Sequence, residues 1–101
     1  MSILVERWHE ETPPDSSELR RRLEAEGYSV MQWSDAAGAR YDPHEHAQDQ
    51  SHWILSGVLQ LTVGGETYTL RTGDRDFLPA HTEHAAFVPG SEPVIYLIGA
   101  K

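Results

Sequence analysis

The sequence predicts an all-β fold, a small barrel or sandwich, preceded by one short α-helix. Three observations carry this. From Tyr28 onward the chain is a series of short apolar and β-branched runs, broken at close intervals by Gly38, Gly57, Gly73 and Pro89-Gly90. A Gly64-Gly65 pair separates two alternating runs, as in a two-residue hairpin whose turn needs positive φ. Helical periodicity is confined to one segment near the N-terminus.

The elements follow in order. Ser2 to His9 alternates weakly and reads as a short strand at a sheet edge, open to pairing with a second subunit. Thr12, or Asp15 with Glu18 as a capping box, starts a helix over Ser16 to Glu26, and Gly27 ends it. Leu19 and Leu23 give it a narrow apolar stripe for packing on a sheet. Glu18–Arg22, Arg20–Glu24 and Arg22–Glu26 are opposite charges at i, i+4. Strands are expected over Tyr28 to Trp33, Arg40 to His46, Gln50 to Leu55, Val58 to Val63, Thr67 to Leu70, Asp76 to Ala80 and His84 to Val88. Pro43 fits its strand only at an edge or a bulge. Pro93 to Ile98 is almost continuously apolar, which predicts a strand buried on both faces. Residues 1–27 are read as an N-terminal strand-and-helix appendage and residues 28–101 as the barrel.

At 101 residues and a net charge of -8, the chain suits one domain and opposes binding to nucleic acid or an anionic membrane. The one basic cluster, Arg20-Arg21-Arg22, is surrounded by glutamates and reads as a solvated helix face. There is no cysteine, so thiolate metal sites, disulfides and a cysteine nucleophile are excluded. Neither a signal-peptide pattern nor a run of membrane-spanning length is expected, and a cytoplasmic location is anticipated. No Gly-x-Ser-x-Gly elbow or phosphate-cradling loop is present.

Chemistry concentrates in GARYDPHEHAQDQSHWILSG, residues 38–57. In an extended chain His44 and His46 point to one face and can share a metal ion, with His84 as the candidate third ligand. Gln50 and His52 share a face of the next strand. Glu45 falls on the opposite side from the two histidines and reads as a surface carboxylate. Trp33, Tyr41, Trp53, Tyr68, Phe77, Phe87 and Tyr96 lie on expected strands and are taken mostly as core, with one or two lining a cavity.

These residues resemble the two motifs of the cupin family. Gly38, five residues, His44-Glu45-His46, three residues, Gln50, six residues and Gly57 follow the first motif, with Gln50 where that family has glutamate. Gly73, five residues, Pro79, then His81 at the usual glycine, and His84 follow the second, with Val88 in place of the closing asparagine. The resemblance spans about residues 29 to 98. It implies a double-stranded β-helix, a jelly-roll barrel of six or more strands. It further implies one divalent transition metal (Fe, Zn, Ni, Mn or Cu) at the barrel mouth, and a homodimer. Under it His44, His46 and His84 map onto the three histidine ligands and Gln50 onto the carboxylate ligand.

Glutamine offers a neutral carbonyl oxygen, so this donor set leaves the ion's charge uncompensated and favours an anionic ligand. His52 is a candidate further ligand or proton-transfer group and His81 a second candidate at the mouth, the plainer reading of both being pocket-lining or partly exposed histidines. The functional expectation is a small metal-dependent enzyme acting on a small organic molecule, either a dioxygenase or an isomerase or lyase. The alternative is a non-catalytic ligand- or metal-binding sensor module.

Overall fold

Among the described residues the chain forms nine strands and one helix. The computed structural model describes residues 2–101, so Met1, the first residue of the expected appendage, lies outside them. The elements are β1 (Leu4–Glu6), α1 (Ser16–Ala25), β2 (Ser29–Asp35), β3 (Arg40–His44), β4 (Gln50–Ser56), β5 (Leu59–Val63), β6 (Glu66–Leu70), β7 (Arg75–Phe77), β8 (His84–Phe87) and β9 (Val94–Ala100). They make a five-stranded sheet, β1-β7-β4-β9-β2, and a four-stranded sheet, β3-β8-β5-β6, antiparallel throughout. This is the double-stranded β-helix that the motifs imply.

The helix is capped by Asp15, whose carboxylate accepts from the Glu18 amide at 2.9 Å; Thr12 lies outside it. Its stripe of Leu19 and Leu23 is fully buried against Tyr28, Trp53 and Leu97 on the outer face of the five-stranded sheet. Only the Glu18–Arg22 pair of the three expected along the helix is formed among the described residues, at 2.9 Å. Arg20 donates to the Val30 carbonyl instead. Glu26 is taken by Arg75, which forks onto both of its oxygens at 3.0 Å. Arg75 is itself buried between the Trp53 and Phe77 rings, where tertiary contact outcompetes a solvated i, i+4 pair.

A second core lies between the sheets: Ile54, Leu59, Leu61, Leu70, Val88, Val94 and Tyr96. Strand β9 serves both. Val94 and Tyr96 face the inner core and Leu97 the outer one, so the expected two-sided burial is realised. Pro43 sits on the edge strand of the four-stranded sheet, inside a register shift between Tyr41 and His44, which needs no donor from it. Gly64 and Gly65 turn the β5–β6 hairpin with φ of 58° and 83°.

Two expectations are corrected. The strand ends at His44, so His46 stands in the following loop. Most of the strand aromatics are not core: Trp53 and Tyr96 are buried, but Trp33 and Tyr41 are 45% and 38% exposed. Phe77 and Phe87 lie half-buried beneath the guanidinium groups of Arg75 and Arg40.

Leu23→Ala empties a fully buried position that joins helix to sheet. It is expected to lower unfolding free energy by about 2–5 kcal/mol, measured by denaturant titration, with strand content retained.

Candidate metal and ligand site

Strands β3 and β8 are neighbours, and their register places His44 directly opposite His84. That pairing brings together two residues far apart in sequence, with ring centroids 4.3 Å apart. The His46 ring lies 4.8 Å from His44 and 5.2 Å from His84. It is steadied from behind, since the His81 amide donates to the His46 carbonyl at 2.7 Å. One ligand nitrogen from each of the three lies within 4.8 Å of the others, so the group could hold a metal ion.

The donor chemistry fits. The Nδ1 of His44 meets the Asp42 carbonyl at 2.6 Å, and that of His84 meets the Thr82 carbonyl at 2.9 Å. A carbonyl accepts only, so Nδ1 carries the proton and Nε2 keeps its lone pair for a metal. Burial pushes His84 below the ordinary histidine value, over an opposing bond from Thr82 and with help from the neighbouring histidines. Burial also lowers His46, reinforced by His44 and His52. Both effects favour the neutral rings a metal requires.

The three histidines line a cavity of about 310 Å³ between the sheets. Gln50 and His52, on the inward face of β4, line it from the opposite sheet. His52 is buried, and its Nδ1 faces the fully buried Asp76 carboxylate at 3.0 and 3.2 Å. Asp76 also accepts the His52 amide. Burial alone would lower the His52 pKa, but the charge and hydrogen bond of Asp76 together raise it. His52 thus holds a proton more firmly than an ordinary histidine. The sequence signal for Asp76 was a carboxylate inside a strand leading into Phe77-Leu78, a position that demands a partner.

His81 is not among the cavity-lining residues. Its side chain is 70% exposed and faces the Glu45 carboxylate at 3.7 Å. Its φ is +61°, the left-handed region, which accounts physically for glycine at this place in the motif it resembles. From the sequence the aromatic wall is legible only as one or two unspecified strand aromatics lining the cavity. Trp33, Tyr41 and Tyr96 line the cavity, and all three donate to one carboxylate, the buried Asp35.

Two measurements check these assignments. Because the folded-state pKa of His52 is raised, its pair with Asp76 contributes fully below the unfolded value of 6.5, and that contribution is lost as pH rises through the folded value. The stability advantage of the native chain over His52→Gln should therefore be largest in mild acid and shrink toward alkaline pH in paired denaturation curves. The lowered His46 and His84 act with the opposite sign, and because burial is the main cause of both shifts the paired comparison removes most of their contribution. His81→Gly removes a left-handed side chain and should leave stability equal or higher by about 1 kcal/mol in thermal unfolding, with metal uptake unchanged.

The profile of the cupin-domain family matches residues 31–98. Among curated proteins, a mannose-1-phosphate guanylyltransferase of Salmonella muenchen is 30% identical over 70 residues, which are 68% of this chain and 15% of that protein. The chain thus spans a small part of that relative's length. Among solved structures, KdgF from Halomonas sp. is 29% identical with a TM-score of 0.56, covering 71% of this chain and 70% of that one. The DMSP lyase DddQ from Ruegeria pomeroyi DSS-3 is 24% identical with a TM-score of 0.67, covering 73% and 38% respectively, and so speaks to the fold alone. Among the described residues no helix is long and apolar enough to cross a membrane.

Proposed function

The chain belongs to the cupin-domain family, and from that premise we propose that it is a small metal-dependent enzyme acting on a small organic anion, with proton transfer as part of its chemistry. One observation carries the reading. Three histidines converge on a cavity whose opposite wall presents a fourth, carboxylate-bound histidine.

His44, His46 and His84 would hold the ion, with Gln50 as a neutral oxygen donor to it or to its bound water. The metal, when bound, supplies Lewis acidity and sites for ligand oxygens. The rest is the work of the chain itself. The carbonyls of Asp42 and Thr82 fix the ring orientations of His44 and His84. Asp76 fixes His52 with Nδ1 protonated, leaving Nε2 to donate or accept a proton at the cavity. Apolar side chains from both sheets, among them Leu59, Leu61 and Ile98, keep water scarce around the bound molecule.

The His52–Asp76 pair favours isomerase or lyase chemistry over a dioxygenase, which has less need of a buried acid–base group. The non-catalytic binding module stays as the second reading, because the same cavity serves retention as well as turnover. The test is to incubate zinc- and iron-loaded protein with small 2-oxo and 3-oxo acids in deuterated water and follow carbon-bound deuterium by NMR. An oxygen electrode runs in parallel. Deuterium uptake lost in His52→Gln is the expected result. Oxygen consumption without exchange would move the assignment to a dioxygenase, and neither signal would leave the binding module.

The metal assignment has its own check. His44→Ala and His84→Ala should each lose bound transition metal, measured by elemental analysis of tag-free protein, with far-ultraviolet circular dichroism unchanged. Equal metal content in both variants would refute it.

A further inference from the structure

Trp33 and Tyr41 are the two large aromatic side chains left substantially exposed, and both open onto the cavity. Exposed apolar surface beside a cavity marks a place where something binds. These rings are held firmly. The Trp33 indole donates to Asp35 Oδ1 at 3.0 Å, the Tyr41 hydroxyl donates to the same oxygen, and the Tyr96 hydroxyl donates to Oδ2 at 2.7 Å. One buried carboxylate thus ties together rings from β2, β3 and β9, spanning both sheets.

The bonds have a chemical consequence. The polar atoms of all three rings are engaged by Asp35, so the wall offers a ligand mainly ring carbon, extended by Met31 and Ile98. Tyr41 lies 6.5 Å from His44, centroid to centroid. With a divalent ion held by the histidines, a cationic group on this wall would be repelled, whereas a neutral flat ring would not. The cavity, about 310 Å³, is at the small end for organic ligands and suits a single ring.

We propose that Met31, Trp33, Tyr41 and Tyr96 form an aryl-binding subsite kept in shape by Asp35, and that the ligand is a small organic anion bearing one flat unsaturated ring. Its oxygens face the histidines and its ring lies on the wall. The orientation and the preference for a neutral ring over a cation rest on the metal reading above; the ring subsite itself does not. Asp35 is a positioning residue and touches no ligand.

The test is calorimetric titration of the full chain, metal-free and zinc-loaded, with benzoate, cyclohexanecarboxylate and glycine betaine. The first two carry the same charge and differ in flatness. Benzoate is expected to bind about three- to tenfold more tightly than cyclohexanecarboxylate, the range of a favourable aromatic pair. Betaine should bind most weakly. The preference should fall to near unity in Trp33→Ala and shrink in Asp35→Asn, with zinc content unchanged in both. Should Asp35→Asn fail to fold, Tyr41→Phe removes one of its three bonds, keeps the ring, and reads the same effect. Equal affinity for the flat and puckered acids, tighter binding of betaine, or no binding of any probe would overturn the proposal. A ring preference that persists in protein unable to bind zinc would sustain the aryl subsite and refute the metal. Zinc binding without ring preference would do the reverse.

Discussion

The fold depends on β9 being buried on both faces. An antiparallel sheet can leave one side to water, and here the five-stranded sheet does not. Tyr96 points into the space between the sheets and Leu97 into the layer beneath α1. Strand β4 behaves alike, with Ile54 inward and Trp53 outward. The helix is therefore the cover that lets the sheet use both its faces. Arg75 reinforces the cover by clasping Glu26, the C-cap residue of α1, while stacking on Trp53. A stiff β4–β9 pair in turn fixes Gln50 and His52 against the cavity, because the same backbone carries both the core and the site.

Local chemistry was legible in the sequence. The Gly64-Gly65 turn, the Asp15 cap, the Leu19–Leu23 stripe, the edge position of Pro43 and the double burial of β9 each follow from a few adjacent residues. The histidine cluster was legible too, but only through the resemblance. Spacing alone joins His44 to His46, and nothing local says that His84 lies opposite them. What stayed hidden depends on partners distant in the chain. Asp76 meets His52 across 24 residues, Arg75 meets Glu26 across 49, and Asp35 meets Tyr96 across 61. A carboxylate in a strand signals that it needs a partner but does not name one. The exposure of Trp33 and Tyr41 was equally hidden, since aromatic residues on strands look alike whether they fill a core or rim a cavity.

The site mixes two electrostatic regimes at short range. Burial and neighbouring histidines lower the pKa of His46 and His84, favouring their neutral rings. In the same cavity, His52 is held toward its protonated form by a carboxylate. Environment, not residue type, separates the roles: lone pairs on one side, a proton on the other. Asp35 and Asp76 do parallel work behind the residues that line the cavity. Each is a buried carboxyl group whose oxygens accept from several donors, so each fixes the direction of side chains that face the cavity.

The three histidines come from the four-stranded side of the molecule, two from β3 and β8 and the third from the loop that leaves β3. Gln50, His52 and Trp33, which face the same cavity, come from β4 and β2 of the other sheet. The two contributions are inherited on separate layers. Substitutions in the five-stranded layer can rewrite what the cavity accepts and how it handles protons while the three-histidine cluster on the opposite layer stays intact. The fold is in this sense a socket with an exchangeable face, and a line of descent can change the cavity's chemistry without ever passing through a chain that has lost that cluster.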